Sequence, residues 1–152
     1  PVIHAYNVAE GEVTRSSGPG TLTVSAKIEE EIMAIEDLAE RKEYLTSLGL
    51  ESSGVDRMNA ACYDALGLMS FYTVGEDEVR AWTIRKGSVA PTAGGKVHTD
   101  IERGFIRVEI IKYDDLVAAG SEKAAKEHGK MQLKGKDYVI QDGDICHFLF
   151  NV

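Results

Sequence analysis

The sequence is short of several things, and each shortage narrows what the chain can be. It has no run of about 18 or more apolar residues, so no membrane-spanning helix is expected. It opens without a basic stretch and long apolar core, so no secretory leader is expected. Pro1 is not a natural start, which implies a processed chain or a piece of a longer one. Its two cysteines, Cys62 and Cys146, lie far apart in a chain large enough to need no staple. They read as reduced thiols in or near a core. No phosphate loop of the form G-x-x-x-x-G-K-[ST] is present.

Metal and nucleophile patterns are missing too. Cys146 and His147 are neighbours on an expected strand and point to opposite faces, and His4, His98 and His128 have no ligand spacing. Ser16, Ser17, Ser52 and Ser53 sit in expected linkers without a G-x-S-x-G turn. The chain closes on Asn151-Val152 instead of Gly-Gly, which argues against sulfur-carrier chemistry. No internal repeat or low-complexity segment interrupts it.

Excess positive charge is absent as well. The net charge is −8, and the acidity is uneven: residues 1–69 carry 5 Lys/Arg against 12 Asp/Glu, residues 70–152 carry 12 against 13. A nucleic-acid partner is therefore expected only through a local patch on the second half.

What is present is a set of short periodic segments. Residues 2–7 and 21–25 read as buried strands, joined by the Gly/Ser/Pro-rich GEVTRSSGPG. Parallel neighbours need a crossover, usually helical, and this linker is too short and too broken to hold a helix. From Ile28 to Leu48, apolar residues recur at three and four, predicting one helix that stops at Gly49. Glu29, Glu30 and Glu31 read as a solvated, dipole-matched helix start. A second helix is expected with Val55, Met58, Cys62 and Leu66 on one face, Met58 and Cys62 in the core.

The acidic bias ends near Gly67–Ser70, and a domain boundary is placed there, giving domains 1–69 and 70–152. Strands follow at 69–74 and 79–84 around Gly75-Glu76-Asp77, then a short helix at 90–97, a strand at 105–111 and small helices at 113–118 and 122–128. Asp142-Gly143-Asp144 between 137–141 and 145–150 predicts a hairpin. That order suits a small α+β β-grasp, ubiquitin-like fold.

Two stretches carry candidate chemistry. Asn7-Val8-Ala9-Glu10 ends the first strand, and Ser25-Ala26-Lys27 ends the second. An Asn amide presents a donor and an acceptor to a purine edge, the acid accepts ring or exocyclic N–H groups, and a Lys stem lies beside the base. In guanine-specific GTPases the first loop is N-K-x-D; Val8 and Glu10 replace its Lys and Asp, weakening the guanine reading. The run GGKVHTDIERGFIR places Lys96, His98, Arg103 and Arg107 within twelve residues, with Lys112 close behind. These suit phosphate contact, with Asp100 and Glu102 interrupting the field.

The long motifs A-W-T-I, G-K-x-H-T-D-x-E-x-G-F and G-K-D-Y-x-x-x-D-G-D, densely over residues 68–152, resemble the TGS domain of the YchF / Obg-like ATPase family. The resemblance extends back through SAKIEEEI to NVAE. It implies an α/β remnant of a P-loop NTPase domain followed by the β-grasp TGS domain. It further implies a cytoplasmic parent that binds and hydrolyses ATP or GTP with Mg²⁺ and associates with ribosomes. By the same resemblance, Asn7, Val8, Glu10, Ser25, Ala26 and Lys27 match the base-contacting loops. Lys96, His98 and Arg103 match the most characteristic run of a domain thought to bind RNA or the large ribosomal subunit. The family carries a longer, helix-bearing segment between N-x-x-E and S-A-K, from which this linker departs. The alternative reading is a β-grasp protein-interaction module.

Phosphate contacts supply most nucleotide affinity in such proteins. A few base hydrogen bonds of about 1 kcal/mol net each leave roughly millimolar binding. No catalytic residue, metal site or tightly held cofactor is expected in this chain, and no hydrolysis by it alone.

Overall fold

The computed structural model describes residues 1–14, 18, 20–75 and 78–151. The expected linker serines Ser16 and Ser17, the Glu76-Asp77 turn and Val152 lie outside the described residues. The chain divides into two compact units, Pro1–Leu66 and Gly67–Val152.

In the first unit, β1 (His4–Asn7) and β2 (Thr21–Val24) pair in parallel, with His4 opposite Thr21 and Asn7 opposite Val24. Among the described residues between them the only helical element is a 3₁₀ turn at Glu10–Glu12. Val8 N–H donates to the Val24 carbonyl at 2.9 Å, and Thr23 Oγ1 donates to the Val13 carbonyl at 3.0 Å. These bonds lay the chain after β1 along β2. Val13 is thereby buried and joins Ile28, Ile32 and Leu50 in a small core. The strands expected to be buried are not: β1 is exposed along its length and β2 only half-buried, since helices meet this two-stranded sheet mainly at β2.

The expected single helix is two, α1 (Ala26–Ala34) and α2 (Leu38–Ser47). Ile35 is extended (φ −84°, ψ 117°), and the Asp37 carboxylate accepts from Ala39 N–H at 2.8 Å and Glu40 N–H at 2.9 Å. A short acid serves better as a cap than mid-helix, so Asp37 restarts the helix where periodicity alone ran through. α3 (Gly54–Ala65) is capped by Ser53, whose Oγ accepts from Asp56 N–H at 3.0 Å. Its expected core stripe is a correction: Val55, Cys62 and Leu66 are exposed and Met58 half-buried. α3 meets β2 through its first turn instead, with Gly54 against Val24 and Arg57 donating to the Thr23 carbonyl at 3.0 Å.

The second unit is a five-stranded mixed sheet with helices. β3 (Leu68–Val74) and β4 (Val79–Arg85) are antiparallel. α4 (Ala90–Val97) and α5 (Thr99–Arg103) lead into β5 (Phe105–Lys112). α6 (Tyr113–Ala119), α7 (Glu122–Glu127), β6 (Gln132–Lys134) and β7 (Asp144–Phe150) complete it. The strand order is β4-β3-β7-β5-β6, with β7 parallel to β3 and antiparallel to β5.

Side chains alternate across the β5–β7 pair. Val108 opposite Phe148 and Ile110 opposite Cys146 enter the main core with Phe71, Ile84, Ala93 and Ile101. Arg107 opposite Leu149, Glu109 opposite His147 and Ile111 opposite Ile145 form the other face. There Ile111 and Ile145 pack with Ala125, Leu116 and Met131.

The expected hairpin is also corrected. The Asp-Gly turn exists, with Gly143 at φ +78° and Asp144 N–H on the Gln141 carbonyl at 3.1 Å. Residues 137–141 are not its partner strand. They cross to residues 88–90, with Ala90 N–H on the Tyr138 carbonyl at 2.8 Å and Ile140 N–H on the Ser88 carbonyl at 3.0 Å. This path puts Ile140, 1% exposed, into the main core. α5 and β6 are elements too short for the periodicity to reveal.

Candidate functional site

Parallel pairing of β1 and β2 brings the ends of both strands, and so both candidate loops, side by side. Ala26 N–H donates to Asn7 Oδ1 at 3.0 Å. Lys27 Nζ lies 3.5 Å from Glu10 Oε2 and 3.7 Å from Glu31 Oε1. Asn7, Glu10, Ala26 and Lys27 therefore converge, although the described linker residues hold no crossover helix. Ser25 is buried and its carbonyl starts α1 by accepting from Glu29 N–H at 3.0 Å; Val8 is half-buried against the core. The Asn7 side-chain oxygen accepts the Ala26 bond, so the amide N–H₂ is the part of that side chain the bond does not use. Glu10 is partnered by Lys27 instead of standing as a lone acceptor.

The acid run was expected to be solvated, and two of its members are engaged. The Glu29 carboxylate accepts from Gly54 N–H at 2.7 Å and Val55 N–H at 3.3 Å, occupying the anion-attracting start of α3. Tyr44 donates its hydroxyl to Glu31, and that bond, ahead of desolvation, pushes the Tyr44 phenol up to about 12. Glu31 thus links the Lys27 loop to α2. Among the described residues, no three His, Cys, Asp or Glu side chains are placed to hold a metal ion.

The basic run divides. Lys96, in the last turn of α4, is exposed and has no ion pair among the described residues. His98 caps α5: its Nδ1 accepts from Asp100 N–H at 3.2 Å. The Asp100 carboxylate also lies 3.5 Å from that nitrogen. Arg103 Nη1 is 3.8 Å from Asp100, an exposed and weak pair. α4 and α5 pack on the core face through Ala93 and Ile101, whereas Arg107 projects from the other face of β5. The structure therefore keeps Lys96, His98 and Arg103 in one segment and sets Arg107 apart.

Lys112 is withdrawn from the patch altogether. Its ammonium donates to Asp144 Oδ1 at 2.5 Å, Gln141 Oε1 at 2.6 Å and Tyr138 Oη at 3.3 Å. Asp144 is fully buried and also accepts from Tyr138 Oη and Gln141 N–H, each at 2.9 Å. Burial pulls the Lys112 ammonium down, but the bonds to Asp144 and Tyr138 outweigh it and hold its pKa above the ordinary value. Burial, then Asp144, pushes the Tyr138 phenol up. Asp142 Oδ1 accepts from Ser70 N–H and Gly143 N–H donates to the Ser70 carbonyl, both at 2.9 Å, fastening the same loop to β3. The K-D-Y-x-x-x-D-G-D motif is thus a latch holding the loop before β7. Cys146 is buried beside it, and desolvation, then Asp144, pushes its thiol up, away from the thiolate form.

The chain is similar to known proteins over nearly all of its length. Residues 68–151 match the family model YchF-GTPase_C, described as a protein of unknown function (DUF933). The chain belongs to this family. It is 45% identical over 167 residues to the ribosome-binding ATPase YchF of Bacillus subtilis (strain 168), covering 100% of this chain and 45% of that protein. It is 39% identical over 165 residues to Obg-like ATPase 1 of Rattus norvegicus, covering 99% and 42%. The solved structure of the Schizosaccharomyces pombe YchF GTPase superposes with a TM-score of 0.76 at 36% identity, covering 98% of this chain and 43% of that one. The chain thus spans less than half the length of these YchF and Obg-like relatives, and it shares their mixed α/β fold over nearly all of its own.

Proposed function

We propose that the chain is the C-terminal part of a cytoplasmic, ribosome-associated nucleoside triphosphatase, and that its own role is docking. In this reading residues 1–69 are the end of the nucleotide-binding domain. Asn7, Val8, Glu10, Ser25, Ala26 and Lys27 form its base-contacting loops. Residues 70–152 form a β-grasp TGS domain that meets ribosomal RNA through Lys96, His98 and Arg103, with Arg107 as a separate contact. The observation that carries the nucleotide half is the Ala26–Asn7 bond at 3.0 Å, which joins the two loops in one place. Exposed, unpaired Lys96 and the loosely held Arg103 support the docking half.

The residues present suit a base and not its phosphates. Among the described residues no metal-holding group exists, and the start of α3 is already filled by Glu29. In the intact protein, Mg²⁺ and the phosphate loop supply charge neutralisation at the triphosphate, held by a segment outside this chain. This chain's part is to orient the base: Asn7 Nδ2 donates, Lys27 lies beside the ring, and Glu10 holds Lys27.

Docking is tested by co-sedimenting the chain with large ribosomal subunits beside a Lys96→Ala/Arg103→Ala double variant, which spares the His98 cap. Pelleting that falls in the variant supports RNA contact. Pelleting equal to wild type removes this patch and favours the protein-interaction reading.

A further inference from the structure

On the sheet face away from the main core lies a cavity of about 180 Å³ lined by Glu109, Ile111, Glu122, Met131, Ile145 and His147. Its construction follows from register. Ile111 and Ile145 stand opposite each other and are buried, 2% and 5% exposed, so they form an apolar floor with Met131. One strand repeat further, Glu109 stands opposite His147, and Glu122 reaches the cavity from the first turn of α7.

Glu109, Glu122 and His147 have no hydrogen bond or ion pair among the described residues. Elsewhere in this unit Asp100, Asp115 and Asp144 all have basic partners. Arg107 shares the face two positions along β5 but forms no ion pair with Glu109. An apolar floor under two unpaired carboxylates complements one kind of group: a cation on an aliphatic stem. A phosphate is repelled by the same walls, and a purely apolar side chain leaves both carboxylates partly desolvated and unpaired.

We infer that this cavity receives a lysine or arginine side chain from a basic protein segment, a second contact on the ribosome that rests on the docking reading above. The stem lies on Ile111, Met131 and Ile145, and the charged head bonds Glu109 and Glu122. The two contacts respond oppositely to charge. Neutralising the carboxylates strengthens any attraction to RNA phosphates and weakens capture of a basic side chain.

The test uses the full chain with labelled Ile and Met methyl groups, titrated by NMR with N-α-acetyl-lysine methylamide and with its uncharged norleucine analogue. Saturable shifts at Ile111, Met131 and Ile145 are expected with the lysine compound only, with about tenfold weaker binding in Glu109→Gln/Glu122→Gln, as expected for losing charged hydrogen bonds. Absent shifts, equal shifts with norleucine, or equal affinity in the double variant overturn the inference. Ribosome pelleting separates it from the reading it rests on. Weaker pelleting of Glu109→Gln/Glu122→Gln supports the cavity. Unchanged or stronger pelleting of that variant overturns it, while the Lys96/Arg103 variant judges the docking itself.

Discussion

The backbone N–H of Ala26 donates to the side-chain oxygen of Asn7 at 3.0 Å, across nineteen residues of sequence. This bond ties the end of β1 to the start of α1. Asn7→Ala is expected to cost about 1 kcal/mol, the net worth of one such bond. Amide hydrogen exchange at Ala26 is expected to quicken in Asn7→Ala and stay slow in Asn7→Asp, which keeps the acceptor. Equal exchange in all three proteins contradicts the assignment.

Asp144 is the centre of the latch. Asp144→Ala leaves the Lys112 ammonium and Tyr138 hydroxyl without their shared acceptor and is expected to cost about 3 kcal/mol, near the lower end for breaking a buried pair because Lys112 is partly exposed. Asp144→Asn retains an oxygen and is expected to cost less. Urea unfolding of the two variants orders them.

Alkaline stability follows from the same groups. Lys112 and Tyr138 have folded pKa values above their ordinary 10.5 and 10.0. The folded state therefore binds protons that the unfolded state releases first, and stability falls as pH rises above 10.0. Below that the contribution is fully present. Tyr44, pushed up to about 12, adds a loss over the same range in the first unit. Unfolding midpoints are expected to drop above this pH, and Tyr44→Phe and Tyr138→Phe each to flatten part of the drop.

Gly54 opens α3, where helix propensity alone favours Ala by about 1 kcal/mol. A Cβ there stands 2.8 Å from Glu29 Oε1 and 2.9 Å from Val24 Cγ1. Gly54→Ala is therefore expected to destabilise by about 1–3 kcal/mol through overpacking, reversing the sign that propensity gives. Thermal unfolding reads the sign directly.

The pure chain is expected to give no turnover of ATP or GTP, because nothing described in it holds the triphosphate. Phosphate release above a no-protein blank contradicts this.

Periodicity located the longer strands and helices because one buried face marks them. Ile28 and Ile32 on α1, and Val108 and Ile110 on β5, carry such faces. It failed where a single polar contact decided the path: Asp37 splitting a helix, or Asp144 turning inward to Lys112 so that Asp142-Gly143 serves β3 instead of a hairpin. It failed again at Cys62, because α3 packs by its first turn and not its stripe. The N-x-x-E and S-A-K loops were legible as motifs, but their meeting depended on strand pairing that the linker composition argued against. The Glu109–His147 cavity left no local signal, since its lining comes from β5, α7, β7 and the segment before β6.

The most direct measurement is the salt dependence of pelleting with large ribosomal subunits. If Lys96 and Arg103 contact RNA phosphates, the log–log slope of affinity against salt has a share of about −1.5 from these two residues, and that share vanishes in the Lys96→Ala/Arg103→Ala variant. A flat salt dependence, or the same slope in the variant, contradicts docking through this patch.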